Sequence, residues 1–288
     1  MLPLRAALVG EVIGTFLMVL FGIGSVACAV LTGALQGLWQ VAVVWGFGVT
    51  IAIYCSAALS GAHLNPAVSL AFALLRPHGF PRSRLLPYCL AQLGGAILAG
   101  LVVWAVFAPF LARFELQEGL IRGAPGSERA AMIFGEYFPN PAVFGTAPEA
   151  AALVSPLAAM LVEALGTAIL VLVIFAFTDP ENAAAPPPAL VPFFIGFTVA
   201  ILISLFAPIT QAGWNPARDF GPRLVAILAG YGSIAIPGPQ GGFWIYIVGP
   251  LLGGVIGGLA YDRLIGPCLP RRPRSGVEGA ISESCPGG

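Results

Sequence analysis

Six apolar stretches, each long enough to cross a bilayer, dominate this chain: 6–31, 40–60, 84–108, 155–178, 188–207 and 242–265. A hydrocarbon core ~30 Å thick, climbed at ~1.5 Å per residue, takes about 20 residues of helix. In lipid every backbone polar group needs an internal partner, so isolated apolar runs of this length have α-helix as their stable form. Only 9% of the chain is charged and 58% is hydrophobic, whereas soluble domains carry ~25% charged residues. A water-soluble enzyme is thereby excluded. Thirteen basic residues, all Arg, balance thirteen acidic ones, which leaves no basic surplus for a nucleic-acid partner. The five cysteines fall in no CxxC or Cys/His ligand spacing, so neither a metal site nor a disulfide framework is expected. No Ser/His/Asp cluster or phosphate-cradling glycine loop accompanies them, and neither enzyme activity nor a cofactor is expected.

Two shorter apolar pieces, 66–75 and 216–229, reach only about half-way across a bilayer. The halves of the chain repeat. Glu11-Val-Ile-Gly14-Thr15 recurs 152 residues later as Glu163-Ala-Leu-Gly166-Thr167. Gly46-Phe47-x-Val49 recurs as Gly196-Phe197-x-Val199, and Asn65-Pro66-Ala67 as Asn215-Pro216-Ala217, each after 150 residues. Every half then holds three spans and one short piece; because three is odd, the second copy enters the membrane from the opposite face. Inverted repeats of this kind put a transport site near the midplane. The expected organisation is a first repeat over 1–108, a central loop over 109–151, a second repeat over 152–265 and a disordered cytoplasmic tail over 266–288. If the short pieces re-enter, Arg5, Arg76, Arg82, Arg84, Arg263, Arg271, Arg272 and Arg274 share one face, against Arg113, Arg122 and Arg129 on the other. The positive-inside bias then puts both termini in the cytoplasm of a multi-pass protein of the bacterial inner or plasma membrane.

Asn-Pro-Ala suits the start of a half-length helix: Asn is a favoured N-cap and Pro fits the first helical position. A re-entrant segment is tolerated at membrane depth where its irregular backbone is buried or lines a water-filled cavity. In an inverted repeat, Asn65 and Asn215 meet near the midplane, each at the positive end of a helix dipole, a site that repels cations and offers amide donors to a passing oxygen.

On Ser60-Gly-Ala-His-Leu-Asn65-Pro-Ala-Val68 and Gly213-Trp-Asn215-Pro-Ala-Arg-Asp-Phe-Gly-Pro-Arg223, the chain resembles the major intrinsic proteins, the aquaporin and glycerol-facilitator family, from about residue 6 to 265. The resemblance implies an all-α membrane protein with an aquaporin-like inverted repeat, six transmembrane helices and two re-entrant half-helices. It further implies an hourglass pore in each subunit of a homotetramer, working without cofactor or energy coupling. Gly94-Gly95 and Gly253-Gly254 permit close helix approach. By the same resemblance Arg218 forms the selectivity constriction, with Trp45, Ile203 and Ala212 as the other members. Read from the residues alone, Arg218 could instead be a structural arginine paired with Asp219 or with backbone carbonyls, and Trp45 a membrane-interface aromatic.

Water-selective members carry a His at the position of Ile203; its absence implies a wider, more apolar neck suited to small polyols. Asp219 with Arg223, Pro250-Leu251 and Phe138-Pro-Asn140-Pro141 resemble the glycerol-facilitator branch. That branch, however, has an aromatic where this chain has Ala212 and glycine where it has Ile203. The Trp–Ile–Ala–Arg set resembles the nodulin-type plant proteins and bacterial relatives linked to metalloid acids. Trp214 either packs behind the Asn pair or narrows the pore. Glu11 and Glu163 are expected to accept the free N–H groups of the re-entrant loops; a proton-coupling role in a secondary transporter is the competing reading. His63 is expected as a hydrogen-bonded histidine of the first loop, with gating as the alternative, and His78 in a solvated turn. The expected function is passive passage of small uncharged solutes, glycerol and water foremost, with arsenous or boric acid, a proton-coupled transporter or a non-conducting structural protein as alternatives.

Overall fold

The computed structural model describes residues 2–269, which are mostly helical, with one long connection between Gln117 and Pro156. Six long helices are α1 (Leu4–Thr32), α2 (Leu38–Ser60), α4 (Leu85–Gln117), α5 (Pro156–Thr178), α6 (Val191–Thr210) and α8 (Ile245–Ala260). Between them lie two short ones, α3 (Pro66–Leu75) and α7 (Pro216–Ala226). All six long helices, counting the turns that flank α4 and α8, are long and apolar enough to cross a membrane.

The sequence repeat is a packing repeat. α1 packs on α4 as α5 packs on α8; α3 lies against α8 as α7 lies against α4; α2 and α6 cross at the centre. The Gly-Phe-x-Val motif explains that crossing. A Cβ on Gly46 would stand 2.7 Å from the carbonyl oxygen of Gly196, and one on Gly196 would stand 2.2 Å from that of Gly46, so only glycine lets the two backbones touch. Phe47 and Phe197, one residue on, face outward, while Val49 and Val199 face the central cavity. Of the glycine pair in α4, Gly95 makes the close approach, to the carbonyl of Val12, and Gly94 faces open space.

The two faces of the bundle are distinct. The C-terminal end of α3 lies beside the turn after α8, where Arg76 pairs with Asp262 at 2.6 Å, and Arg84 donates to the Leu2 carbonyl; this is the terminal face. The end of α7 lies beside the central loop, whose Arg122 donates to the Ala229 carbonyl; this is the loop face. α3 and α7 therefore point in opposite directions from a shared centre.

Three boundaries differ from the sequence expectation. The central loop expected at 109–151 begins only after Gln117, because α4 runs on through Pro109 beyond its apolar stretch. Its polar extension is anchored by Glu115, which accepts from Arg122 and from the Tyr231 hydroxyl at 2.6 Å. The half-helix expected at 216–229 is α-helical to Ala226, after which the turn widens and Gly230 adopts φ 100°, closed to an ordinary side chain. The span expected at 188–207 forms three residues later, at 191–210, because Pro187 and Pro188 hold the chain out of the helix. Of the tail expected at 266–288, a turn at Gly266–Cys268 is described; Arg271, Arg272, Arg274 and Cys285 lie outside the described residues.

Candidate solute pathway

Each re-entrant loop is held by a carboxylate. Glu11 in α1 accepts the His63 N–H at 3.0 Å and the Leu64 N–H at 2.8 Å, and also the Gln92 amide at 2.7 Å. Glu163 in α5 accepts the Gly213 N–H at 3.0 Å and the Trp214 N–H at 2.7 Å. Both acids are fully buried; their oxygens meet the amides that a non-helical segment inside the membrane would otherwise leave unpaired.

The loops end at the two asparagines. The Asn65 side chain accepts the Ala67 N–H at 2.8 Å, and that of Asn215 accepts the Ala217 and Arg218 N–H groups at 3.1 and 3.2 Å, each an N-cap with Pro66 or Pro216 at the first helical position. Such a cap stabilises a helix by about 1 kcal/mol. The Asn65 amide donates across to the Trp214 carbonyl at 2.9 Å, and the Asn215 amide to the Leu64 carbonyl at 2.8 Å. The half-helices thus abut tip to tip. An amide nitrogen carries two protons, so one on each Asn remains for a group beside the tips.

A cavity of about 1130 Å³ passes this point. It opens at the terminal face among Leu2, Arg76 and Asp179, passes His63, Asn65 and Asn215, and ends at Trp45, Ile203, Ala212 and Arg218. The four residues expected at the constriction therefore line one cavity. Among the described residues, no residue of the central loop lines this cavity. Residues 61–63 and 212–213 border it, and their backbone carbonyls accept no hydrogen bond from a protein group among the described residues; Val49, Val68, Leu170, Ile174, Ile195 and Val199 give the same cavity an apolar lining.

Arg218 is not paired with Asp219. Its guanidinium carbon lies 4.5 Å from the Trp45 ring centroid, and its Nη2 contacts the carboxylate of Glu136 in the central loop. Asp219 instead pairs with Arg223 at 2.7 Å, one helical turn on. Together they clasp the loop: Asp219 accepts the Glu136 N–H at 2.7 Å, and Arg223 donates to the carbonyls of Glu136 and of Ala235. Gln211 adds a further tie by accepting the Tyr137 N–H at 2.8 Å. Glu136, Tyr137 and Gln211 escaped the sequence reading. The available signal for Glu136 was an acid between the apolar Ile133-Phe134 and the Phe138-Pro-Asn140-Pro141 motif.

Trp214 packs behind the Asn pair: a Cβ on Gly166 would stand 2.1 Å from its indole nitrogen, and Phe206 meets its ring edge-on. Leu64 occupies the equivalent seat over Gly14, at 2.5 Å. The His63 ring lies among Phe72, Phe80 and Tyr88 and shares a hydrogen bond with Ser69 at 3.2 Å, as expected of a loop histidine.

Residues 2–261 match the major intrinsic protein family. The chain belongs to that family. Among the major intrinsic proteins it is 41% identical to the glycerol uptake facilitator protein of Pseudomonas aeruginosa, over 90% of this chain and 88% of that one. It is 37% identical to the propanediol uptake facilitator of Citrobacter freundii, covering 93% and 94% of the two chains. The X-ray structure of the aquaglyceroporin from Plasmodium falciparum superposes with a TM-score of 0.77 at 26% identity, over 93% of this chain and 99% of that one. The chain is accordingly an integral, multi-pass channel protein for small solutes and not an enzyme.

Proposed function

We propose that the cavity conducts small uncharged polyols, glycerol above all, together with water, down their gradients, and that Trp45, Ile203, Ala212 and Arg218 select among them. The observation that carries this is the mixed lining: loop residues 61–63 and 212–213, whose carbonyls are unpaired among the described residues, together with apolar side chains. A polyol has the same division, hydroxyls on a carbon backbone, and exchanges its water for the carbonyls without losing hydrogen bonds. Two relatives named for glycerol and for propanediol uptake support that solute class. Ile203 contributes no polar group to the neck, so nothing there replaces a lost water for a fully hydrated solute. The tips of α3 and α7, each the positive end of a helix, disfavour cations beside the Asn pair. Glu11 and Glu163 are both taken up by loop amides, which argues for structural acids and against proton coupling.

The terminal face carries Leu2, Arg76 and Arg84, with Arg82 and Arg263 nearby in the chain, and we read it as cytoplasmic. The expected homotetramer rests on family resemblance, and cross-linking in native membranes measures it. Stopped-flow flux through proteoliposomes tests the function with glycerol, water and an uncharged metalloid acid as permeants. Glycerol passage by the wild type is expected, and Ile203→His lowers it about tenfold while water flux changes less than about twofold. Equal losses for both permeants contradict the role given to Ile203. Metalloid-acid flux well above glycerol flux moves the solute class.

A further inference from the structure

The contact between Glu136 and Arg218 is a buried ion pair at the end of the cavity, with side-chain exposures of 1% and 5%. Opposite charges at this separation cancel most of the field either would project. Among the described residues the Arg218 guanidinium makes no further hydrogen bond to the protein, so the carboxylate and the Trp45 ring fix its position. The Glu136 carboxylate has a second oxygen, Oε2, that is buried and, among the described residues, accepts from no protein group. A small separate cavity of about 80 Å³ is bordered by Glu136 together with Glu128, Tyr137, Arg223, Gln240 and Tyr246. Polar groups and room for a water or two make that cavity a place from which a proton can reach Glu136.

We propose that Glu136 is a fifth member of the constriction, a positioning residue that acts through Arg218: its carboxylate holds the guanidinium across the neck and cancels its charge, and a proton on that carboxylate releases the guanidinium and widens the passage. This rests on the reading of Arg218 as part of the constriction. Arg218 lines the main cavity and Glu136 does not, so the carboxylate holds the guanidinium from the side away from the cavity. The charged and titratable groups around Glu136 are Arg218, Asp219 and Arg223 from α7, Glu163 from α5, Tyr246 from α8, and Glu128 and Tyr137 from the loop. Burial pushes the Glu136 carboxyl up to about 8, outweighing the attraction of Arg218. Below that pH the carboxyl is neutral and Arg218 is free; above it the pair holds.

Stopped-flow flux of glycerol and, separately, of water from pH about 6 to about 10 tests this in proteoliposomes of the full chain. Wild-type flux is expected to fall about threefold as pH rises through about 8, and Glu136→Gln to stay flat at the faster, low-pH level. Glu136→Asp, which keeps the charge on a shorter arm, retains a pH step with a displaced midpoint. A wild type that passes either permeant with no pH step overturns the proposal, and so does a Glu136→Gln profile like that of the wild type. If Glu136→Gln does not fold, an undisplaced midpoint in Glu136→Asp overturns it and a displaced one supports it. Water flux that follows the pH step while glycerol never crosses leaves the ion-pair clamp standing and removes the polyol reading; no flux of either permeant removes both.

Discussion

Residues 60–69 and 210–219 use one backbone device twice. Each loop places non-glycine residues in the left-handed region, Ala62 and Leu64 at φ 52° in the first, Ala212 and Trp214 at φ 67° and 48° in the second. Each such residue costs roughly 1 kcal/mol or more, and in both loops a buried glutamate meets the resulting inward amides. The helices that follow diverge. α7 carries Arg218, Asp219 and Arg223 where α3 carries Val68, Ser69 and Ala73. α3 packs against apolar helices, whereas α7 meets the central loop, which supplies a carboxylate and backbone carbonyls to receive the charges. The shared part builds the channel; the unshared part, resting on one loop, distinguishes its two ends.

The largest effects should come from removing what the loops share. Glu11→Ala and Glu163→Ala each strand two buried amides, and at ~1–3 kcal/mol apiece the folded protein loses about 2–6 kcal/mol; thermal midpoints in detergent measure it. A severe loss for one acid and none for the other breaks the equivalence of the repeats. Next comes the charge that they do not share. Above pH about 8, where Glu136 is ionised, Arg218→Val alone leaves a buried charge without a partner and lowers stability by about 3 kcal/mol, whereas adding Glu136→Leu recovers most of that. If the double variant is no more stable than the single, the central loop supports α7 in some way other than this pair. Smaller is the seat beneath the residue before each Asn. Gly166→Ala crowds Trp214 and costs about 1–3 kcal/mol, and Trp214→Leu, which makes the second loop like the first, restores most of it in a double-mutant cycle. At the bottom of the scale, cutting the half-exposed Arg129–Glu118 pair with Glu118→Ala changes stability by less than about 0.5 kcal/mol.

Most of the scaffold was legible because it is local or repeated. Apolar length located the spans, and Asn-Pro at 65–66 and 215–216 set the starts of both half-helices at their observed residues. The repeat of Glu11 and Glu163 marked them as a matched pair before any contact was known. The end of α4 was less legible, since an apolar stretch marks the membrane and not the helix; Glu115 sustains the helix through partners at 122 and 231, remote in sequence. Glu136 was hidden for the same reason: its partner lies 82 residues away and its loop has no counterpart in the first half. Trp214 was undecided until Gly166 appeared beneath it. The sequence did contain that hint, because Gly14 and Gly166 repeat alongside the glutamates.

The crossed amide bonds at the centre also bear on how the protein is made. Asn65 donates a hydrogen bond to the Trp214 carbonyl and Asn215 donates one to the carbonyl of Leu64, so each tip is completed by a residue about 150 positions away. While only the first half has been made, Glu11 already meets the His63 and Leu64 amides, but the Asn65 amide and the Leu64 carbonyl still lack their partners. Neither half, made by itself, can complete the hydrogen bonding of its own tip.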